Sequence, residues 1–241
     1  MAQAEVAGGV RRVLVAEEDD GVRGLIGPII AGIGDLDVET VRSGTEALTR
    51  ARNRPPNLIV CDTELGDLPS GRGTLVRLLR SDGLLGRLPI LVVSGHGDLQ
   101  HKYSAFADGA DDFLAHPFDP LELQFRVKAL LRRGQWAEAP VCIEMGDMRL
   151  DEGRYVVFCG EVEVALTPSE FAILRTLMGR PNQIVRVETL LTAALGYPAG
   201  TGNPQVIHTH IKNLRAKLER NPAKPERITS NRRGYQMPVA P

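Results

Sequence analysis

Cysteine is scarce. Cys61, Cys142 and Cys159 are scattered and form no C-x-x-C pair, so neither a zinc site nor a disulfide framework is indicated. Long apolar runs are missing as well. None approaches the roughly 18 residues of a membrane span. The opening MAQAEVAGGV has no basic segment ahead of an apolar core; it is not a secretion signal and reads as a loose tail over 1–10. An excess of one charge is also lacking. Lys and Arg number 29, Asp and Glu 30, and the net charge of −1 names no partner. A reduced, cytoplasmic setting fits these absences.

What is present is a split along the chain. Residues 1–140 hold 16 basic and 20 acidic side chains, and 141–241 hold 13 and 10. The last 40 residues carry eight basic and two acidic ones, a local positive field. A length of 241 residues suffices for two ordinary domains.

From Arg11 to Arg133, short apolar runs alternate with amphipathic ones. RVLVA (12–16), LIVCD (58–62), PILVVS (89–94) and DFLAH (112–116) suit strands buried in a parallel sheet. Between and after them lie segments of helical period, the first expected to kink at Pro28. The alternation predicts an α/β, doubly wound, five-stranded domain over 11–133. GQWAEAP (134–140) breaks the rhythm and reads as a linker. Over 141–241 come small antiparallel strands, then TPSEFAILRTLM with a capping box formed by Thr167 and Glu170. A second helix over VRVETLLTAAL, a third capped by Asn203, and a hairpin over RITSNRRGYQM complete the order of a winged helix-turn-helix.

In an open parallel sheet, function collects at the C-terminal strand ends. Glu17 and Glu18 close the first strand there, Asp62 the third, Ser94 the fourth and His116 the fifth. Carboxylates gathered at one edge suit a hard cation such as magnesium. An aspartate beside it can act as a nucleophile toward phosphorus, and a hydroxyl opposite can hold phosphoryl oxygens. A phosphohydrolase of the haloacid-dehalogenase kind uses similar groups. It needs an acid two residues after the nucleophile, a place Glu64 could fill, and an acidic pair last in the chain, whereas here the pair comes first.

In the C-terminal half, Ile207, Ile211, Leu214 and Leu218 form one apolar stripe on the third helix. Gln205, Thr209, Lys212, Asn213, Ala216 and Arg220 fall on the opposite arc. A basic hairpin with Arg232 and Arg233 follows, which suits a recognition helix and wing on DNA.

Taken together, these motifs resemble the winged-helix response regulators of the OmpR/PhoB type, over about 11–133 and 141–239. The resemblance implies that Asp62 is the phosphoacceptor. Glu17, Glu18, Asp62 and the backbone carbonyl of Glu64 would hold Mg2+. Ser94, Phe113 and His116 would take the hydroxyl, aromatic-switch and lysine positions, and the 116–117 peptide bond would be cis. His210, Lys212 and Arg215 would contact phosphates, Thr209 and Asn213 base edges, and Arg232 and Arg233 the wing's groove. Lys102 with Glu122, Asp108 with Arg126 and Asp112 with Arg133 would match across the two-fold axis of a homodimer. Implied partners are double-stranded promoter DNA, RNA polymerase and a sensor histidine kinase, with no membrane and no enzymatic turnover.

Three departures stand out. The acid pair is Glu-Glu where the pattern carries at least one Asp. Gly66 replaces the usual proline four residues after the acceptor, in a GDLPSG loop that carries an extra residue. His116 replaces the phosphoryl-pairing lysine. A histidine with reference pKa of about 6.5 is mostly neutral at pH 7, so the switch is expected to be weakened or lost. The alternative is a response regulator that depends fully on phosphorylation.

Overall fold

The computed structural model describes residues 10–68, 74–133, 142–151 and 154–239. The expected tail up to residue 9, the linker at 134–140 and part of the GDLPSG loop lie outside the described residues, as does the side chain of Arg133.

The N-terminal half is a parallel sheet of β1 (Arg11–Ala16), β2 (Leu36–Val41), β3 (Leu58–Cys61), β4 (Ile90–Ser94) and β5 (Asp112–Ala115), in the order β2-β1-β3-β4-β5. Five helices cover it: α1 (Asp20–Ala31), α2 (Gly44–Asn53), α3 (Leu75–Ser81), α4 (Leu99–Ala107) and α5 (Pro120–Arg133). β1 shows why near-continuous apolar runs form such strands. Its alternate residues point to opposite faces, so Val13 and Val15 enter one apolar cluster while Leu14 and Ala16 enter the other. Edge strand β2 carries Asp37, Glu39 and Thr40 and is only partly buried, which is why no apolar run marks it. The strand order reverses between β1 and β3, and that reversal opens the crevice where Glu17, Asp62 and their neighbours gather.

The C-terminal half opens with an antiparallel meander of β6 (Cys142–Met145), β7 (Met148–Asp151), β8 (Val156–Cys159) and β9 (Val162–Ala165). α6 (Pro168–Met178) starts with the expected capping box: Thr167 Oγ1 accepts from Glu170 N, and Glu170 Oε2 from Thr167 N. The expected second helix is present in part. α7 (Val187–Thr189) runs on as a π-helical turn, Leu190–Ala194, with Leu195 N donating to Leu190 O. α8 (Pro204–Leu218) buries Ile207, Ile211, Leu214 and Leu218 as the stripe predicts, and Asn203 caps it. The hairpin of β10 (Thr229–Asn231) and β11 (Gly234–Gln236) closes the fold. Gly234 sits at φ +152, and a Cβ there would lie 2.1 Å from the Val185 carbonyl oxygen, so only glycine permits the wing to pack this closely.

The two halves are not separate beads. One apolar cluster runs from Leu14 and Ile59 through Phe106 and Phe113 into Phe171, Ile207 and Leu214. No helix among the described residues is long and apolar enough to cross a membrane.

Candidate functional site

The sheet edge brings the acidic group together as expected. An open recess there is lined by Glu17, Glu18, Asp19, Asp20, Gly21, Asp62 and Glu64. Burial pushes the carboxyls of both Glu17 and Asp62 above their ordinary range, and their mutual repulsion adds to the rise at Glu17. The Asp62 carboxylate is tied back to its own strand end: Oδ1 accepts from Thr63 N at 2.5 Å and Thr63 Oγ1 at 3.2 Å. Thr63 Oγ1 in turn lies 2.9 Å from Ser94 Oγ. Thr63 thus joins Asp62, the expected acceptor, to Ser94 at the expected hydroxyl position, a link the sequence reading missed because a small hydroxyl after an aspartate carries no signal of its own. Arg23 was missed as well. Its guanidinium donates to the Glu17 and Glu18 carbonyls and to Asp20, and so braces the acidic loop from below.

His116 is the outlier. The cis His116–Pro117 bond is present, but the imidazole does not line the acidic recess. It packs on Phe118 at 4.4 Å between ring centroids, and its Nε2 is buried with no hydrogen-bond partner among the described residues. Among the described residues no cationic side chain lines the recess where the pattern places a lysine. The oxygen donors have the chemistry of a magnesium site. Yet among the described residues no three His, Cys, Asp or Glu side chains converge on a point able to hold a metal ion. The donor set therefore does not form a ready cage. Nearby Cys61 is no alternative nucleophile, since burial pushes its thiol up to about 12.

α8 departs most from expectation. Thr209 and His210 are almost fully buried, and with Asn213 they face the N-terminal half instead of open solvent. Asn213 Nδ2 donates to the Phe106 carbonyl at 3.0 Å. His210 Nε2 lies 3.1 Å from the Asp111 carbonyl, and its ring meets Phe106 edge-on at 5.4 Å. Arg215 is also committed: its Nε donates to the Ile228 carbonyl, bracing the hairpin. Lys212, Arg232 and Arg233 remain exposed. The contacts between the halves arise because α8 follows its apolar stripe into the core, while His210 and Asn213 on its flank meet Phe106 of α4 and the Asp111 carbonyl.

Asp111 is the hinge pin of this arrangement. The fully buried carboxylate accepts from Arg80 Nη2 at 2.7 Å and Ile90 N at 2.9 Å within its own half. Its other oxygen accepts from Ser169 N at 2.9 Å, in the first turn of α6, where the helix dipole favours an anion. Gln205 to Tyr103, Arg126 to Tyr197 and Arg132 to the Gly196 carbonyl complete the seam.

Of the residues expected to pair across a two-fold axis, those whose side chains are described make contacts within one chain; Arg133 lies outside the described side chains. Arg126 Nη1 reaches Asp112 at 2.8 Å and Arg126 Nη2 reaches Glu122 at 2.5 Å. Asp108 accepts from Arg77 at 3.0 Å and from Thr74. Lys102 lies over the buried Phe113 ring, 5.9 Å from its centroid. The face made by α4, β5 and α5 is thus partly covered in this structure by α8 and the loop before it, while Leu99, Tyr103, Leu121 and Phe125 stay exposed.

Residues 13–128 match the family model for the response regulator receiver domain, and residues 161–237 match that for the C-terminal domain of transcriptional regulatory proteins. The DNA-binding response regulator MtrA of Mycolicibacterium smegmatis is 32% identical over 225 residues, covering 92% of this chain and 94% of the relative. The KDP operon transcriptional regulatory protein KdpE of Escherichia coli is 32% identical over 228 residues, covering 93% and 97%. Among solved structures, two variants of RitR superpose with TM-scores of 0.73 and 0.75 at 22% and 23% identity, covering 95% of this chain and all of theirs. They speak for the fold alone.

Proposed function

The chain belongs to the DNA-binding response regulators of two-component systems, and from that membership we propose that it is a transcription regulator whose receiver holds the recognition helix shut and responds only weakly to phosphorylation. In this reading 11–133 is the receiver, 134–140 the linker and 141–241 the DNA-binding domain. The protein acts in the cytoplasm on promoter DNA and RNA polymerase and carries out no turnover of its own. The observation that carries the reading is the burial of Thr209 and His210, with Asn213 bonded to the Phe106 carbonyl of α4 and His210 beside the Asp111 carbonyl just before β5. A helix held there cannot enter a major groove, so DNA binding draws on the fraction of molecules in which the halves have parted.

The weak response to phosphorylation rests on the acidic recess. A phosphoryl group on Asp62 would add negative charge beside Glu17, Glu18 and Glu64, where among the described residues no lysine lines the recess and the Ser94 and Thr63 hydroxyls and the Thr63 N–H lie near. Magnesium would ease that repulsion, but these donors would hold it weakly. A sensor kinase remains a partner in this reading, though one with a small effect. Once the halves part, α4, β5 and α5 become free for homodimer formation through Lys102, Asp108, Asp112, Glu122, Arg126 and Arg133. Domain parting, pairing and DNA binding are therefore coupled.

The test is binding-site selection from random duplex DNA, followed by titration of the selected site. Wild type and Asp62→Ala should bind it with affinities within about threefold, since their difference stays below roughly 0.7 kcal/mol. Acetyl phosphate should change wild-type affinity little. Rapid labelling of Asp62 with a large gain in dimer and DNA affinity, abolished in Asp62→Ala, would restore the fully phosphorylation-dependent reading.

A further inference from the structure

Between the two halves lies a cavity of about 530 Å3. One wall comes from α4, β5 and α5, the other from the loop before α8 and its first turns. Phe106, Phe113 and Val206 give it apolar, nearly fully buried surfaces, and Leu99 forms an exposed rim. That volume falls in the range of sites that enclose drug-sized ligands, which occur preferentially where domains meet. Filled with solvent at about 30 Å3 per molecule, it would hold well over ten waters against walls of mixed apolar and polar character.

The polar groups at the cavity are unequal. Arg126 is saturated by Asp112, Glu122 and Tyr197, and the one Glu122 oxygen that faces it takes two of its hydrogen bonds. Arg126 thus sets one positive charge against the two carboxylates of Asp112 and Glu122, and this side of the cavity is net negative. Lys102 has no carboxylate partner among the described residues; its ammonium rests against the ring of Phe113. The N-terminal end of the 15-residue α8 also opens here, through Asn203, Pro204 and Gln205, and its dipole adds positive potential. The cavity is apolar in its depth, positive where Lys102 and the start of α8 meet it, and negative at Glu122.

We propose that this cavity is a binding site for a small apolar anion, a carboxylate on an aromatic or polycyclic body, with the carboxylate on Lys102 and the body against Phe113 and Val206. Both walls exist together only while the halves are docked. The ligand therefore binds the closed form alone, and by linkage it opposes DNA binding. The inference rests on the closed form put forward under Proposed function and adds a chemical signal that does not pass through Asp62.

The probe is 1-pyrenebutyrate, with uncharged 1-pyrenebutanol as its partner compound, read by pyrene fluorescence on the full-length protein without DNA. Saturable binding of one pyrenebutyrate per chain is expected, with the alcohol about tenfold weaker or more. Lys102→Met should erase that difference between the two compounds. Leu99→Trp, which places an indole over the rim, should weaken both compounds about tenfold. Pyrenebutyrate at ten times its dissociation constant should weaken DNA binding by about tenfold. No saturable binding, equal binding of acid and alcohol, or a DNA affinity that saturating probe leaves unchanged or raises would each overturn the proposal. Because probe binding is read without DNA, it is scored separately from the regulator reading. A chain that takes up the probe as described yet binds no DNA would sink that reading and leave the site standing.

Discussion

Asp62 and Glu17 are held as carboxylates with too little solvent, and the sign of the consequence follows. Their folded pKa values are raised above the unfolded ones. The folded chain therefore binds protons more readily, and ionisation at neutral pH works against folding. Asp62→Asn should raise the melting temperature at pH 7.5. The gain should shrink as pH falls through the folded pKa of Asp62 and vanish below the unfolded value of about 3.9; thermal unfolding from pH 7.5 to 4 checks this, and a gain constant with pH would contradict it. His116 offers a second test at this scale. His116→Lys should raise labelling of Asp62 by acetyl phosphate about 10- to 100-fold, the worth of a charged hydrogen bond of about 1.5–3 kcal/mol. Equal labelling of the two proteins would mean that the histidine already serves.

α8 carries two loads, a buried stripe and a polar arc, and its side chains separate by which load they bear. Lys212 is exposed and takes no part in the seam. Lys212→Ala should weaken binding to all duplexes alike and lower the slope of log affinity against log salt by about 1. Asn213→Ala should act in two opposite ways. It removes the hydrogen bond to the Phe106 carbonyl and so favours parting of the halves. It also relaxes base preference at one position by about 1–3 kcal/mol; a selection experiment with each variant reads the two effects apart. Arg215 was expected to serve DNA phosphates alone. Because it braces the hairpin through the Ile228 carbonyl, Arg215→Ala should also lower folding stability by about 1 kcal/mol, measurable by urea unfolding.

For the whole molecule, the closed seam is a set of polar contacts around an apolar junction, and it can be weakened without harming either fold. Tyr103→Phe with Arg132→Ala removes two hydrogen bonds that cross between the halves. At about 0.5–1.5 kcal/mol each, their loss should increase the open fraction on the order of tenfold. While the closed form dominates, DNA affinity should rise by the same factor. Fluorescence anisotropy at fixed salt checks this. An unchanged affinity would mean that docking of the halves does not limit DNA binding.

The sequence by itself determined what depends on local pattern. Near-continuous apolar runs marked β1, β3, β4 and β5, the Thr167–Glu170 box marked the start of α6, and the i, i+4, i+7, i+11 stripe marked the buried face of α8. Each is a short-range rule of backbone geometry and side-chain burial. The polar edge strand β2 was counted in the alternation but marked by no apolar run, since it buries too little to show one. Order along the chain was enough to place Glu17, Glu18, Asp62 and Ser94 at one sheet edge, because parallel strands present their C-terminal ends together. Only the tertiary structure decided where the polar arc of α8 goes. An arc of Thr, His and Asn is equally suited to base edges and to the carbonyls of a neighbouring helix, since both offer hydrogen-bond partners at similar distances. The same holds for Arg126, whose carboxylate partners lie as readily in its own chain as in another. No periodicity in a sequence distinguishes a surface kept open from one covered by a second domain; that choice belongs to the packing of Phe106, Asp111 and Ser169 against α8 and α6.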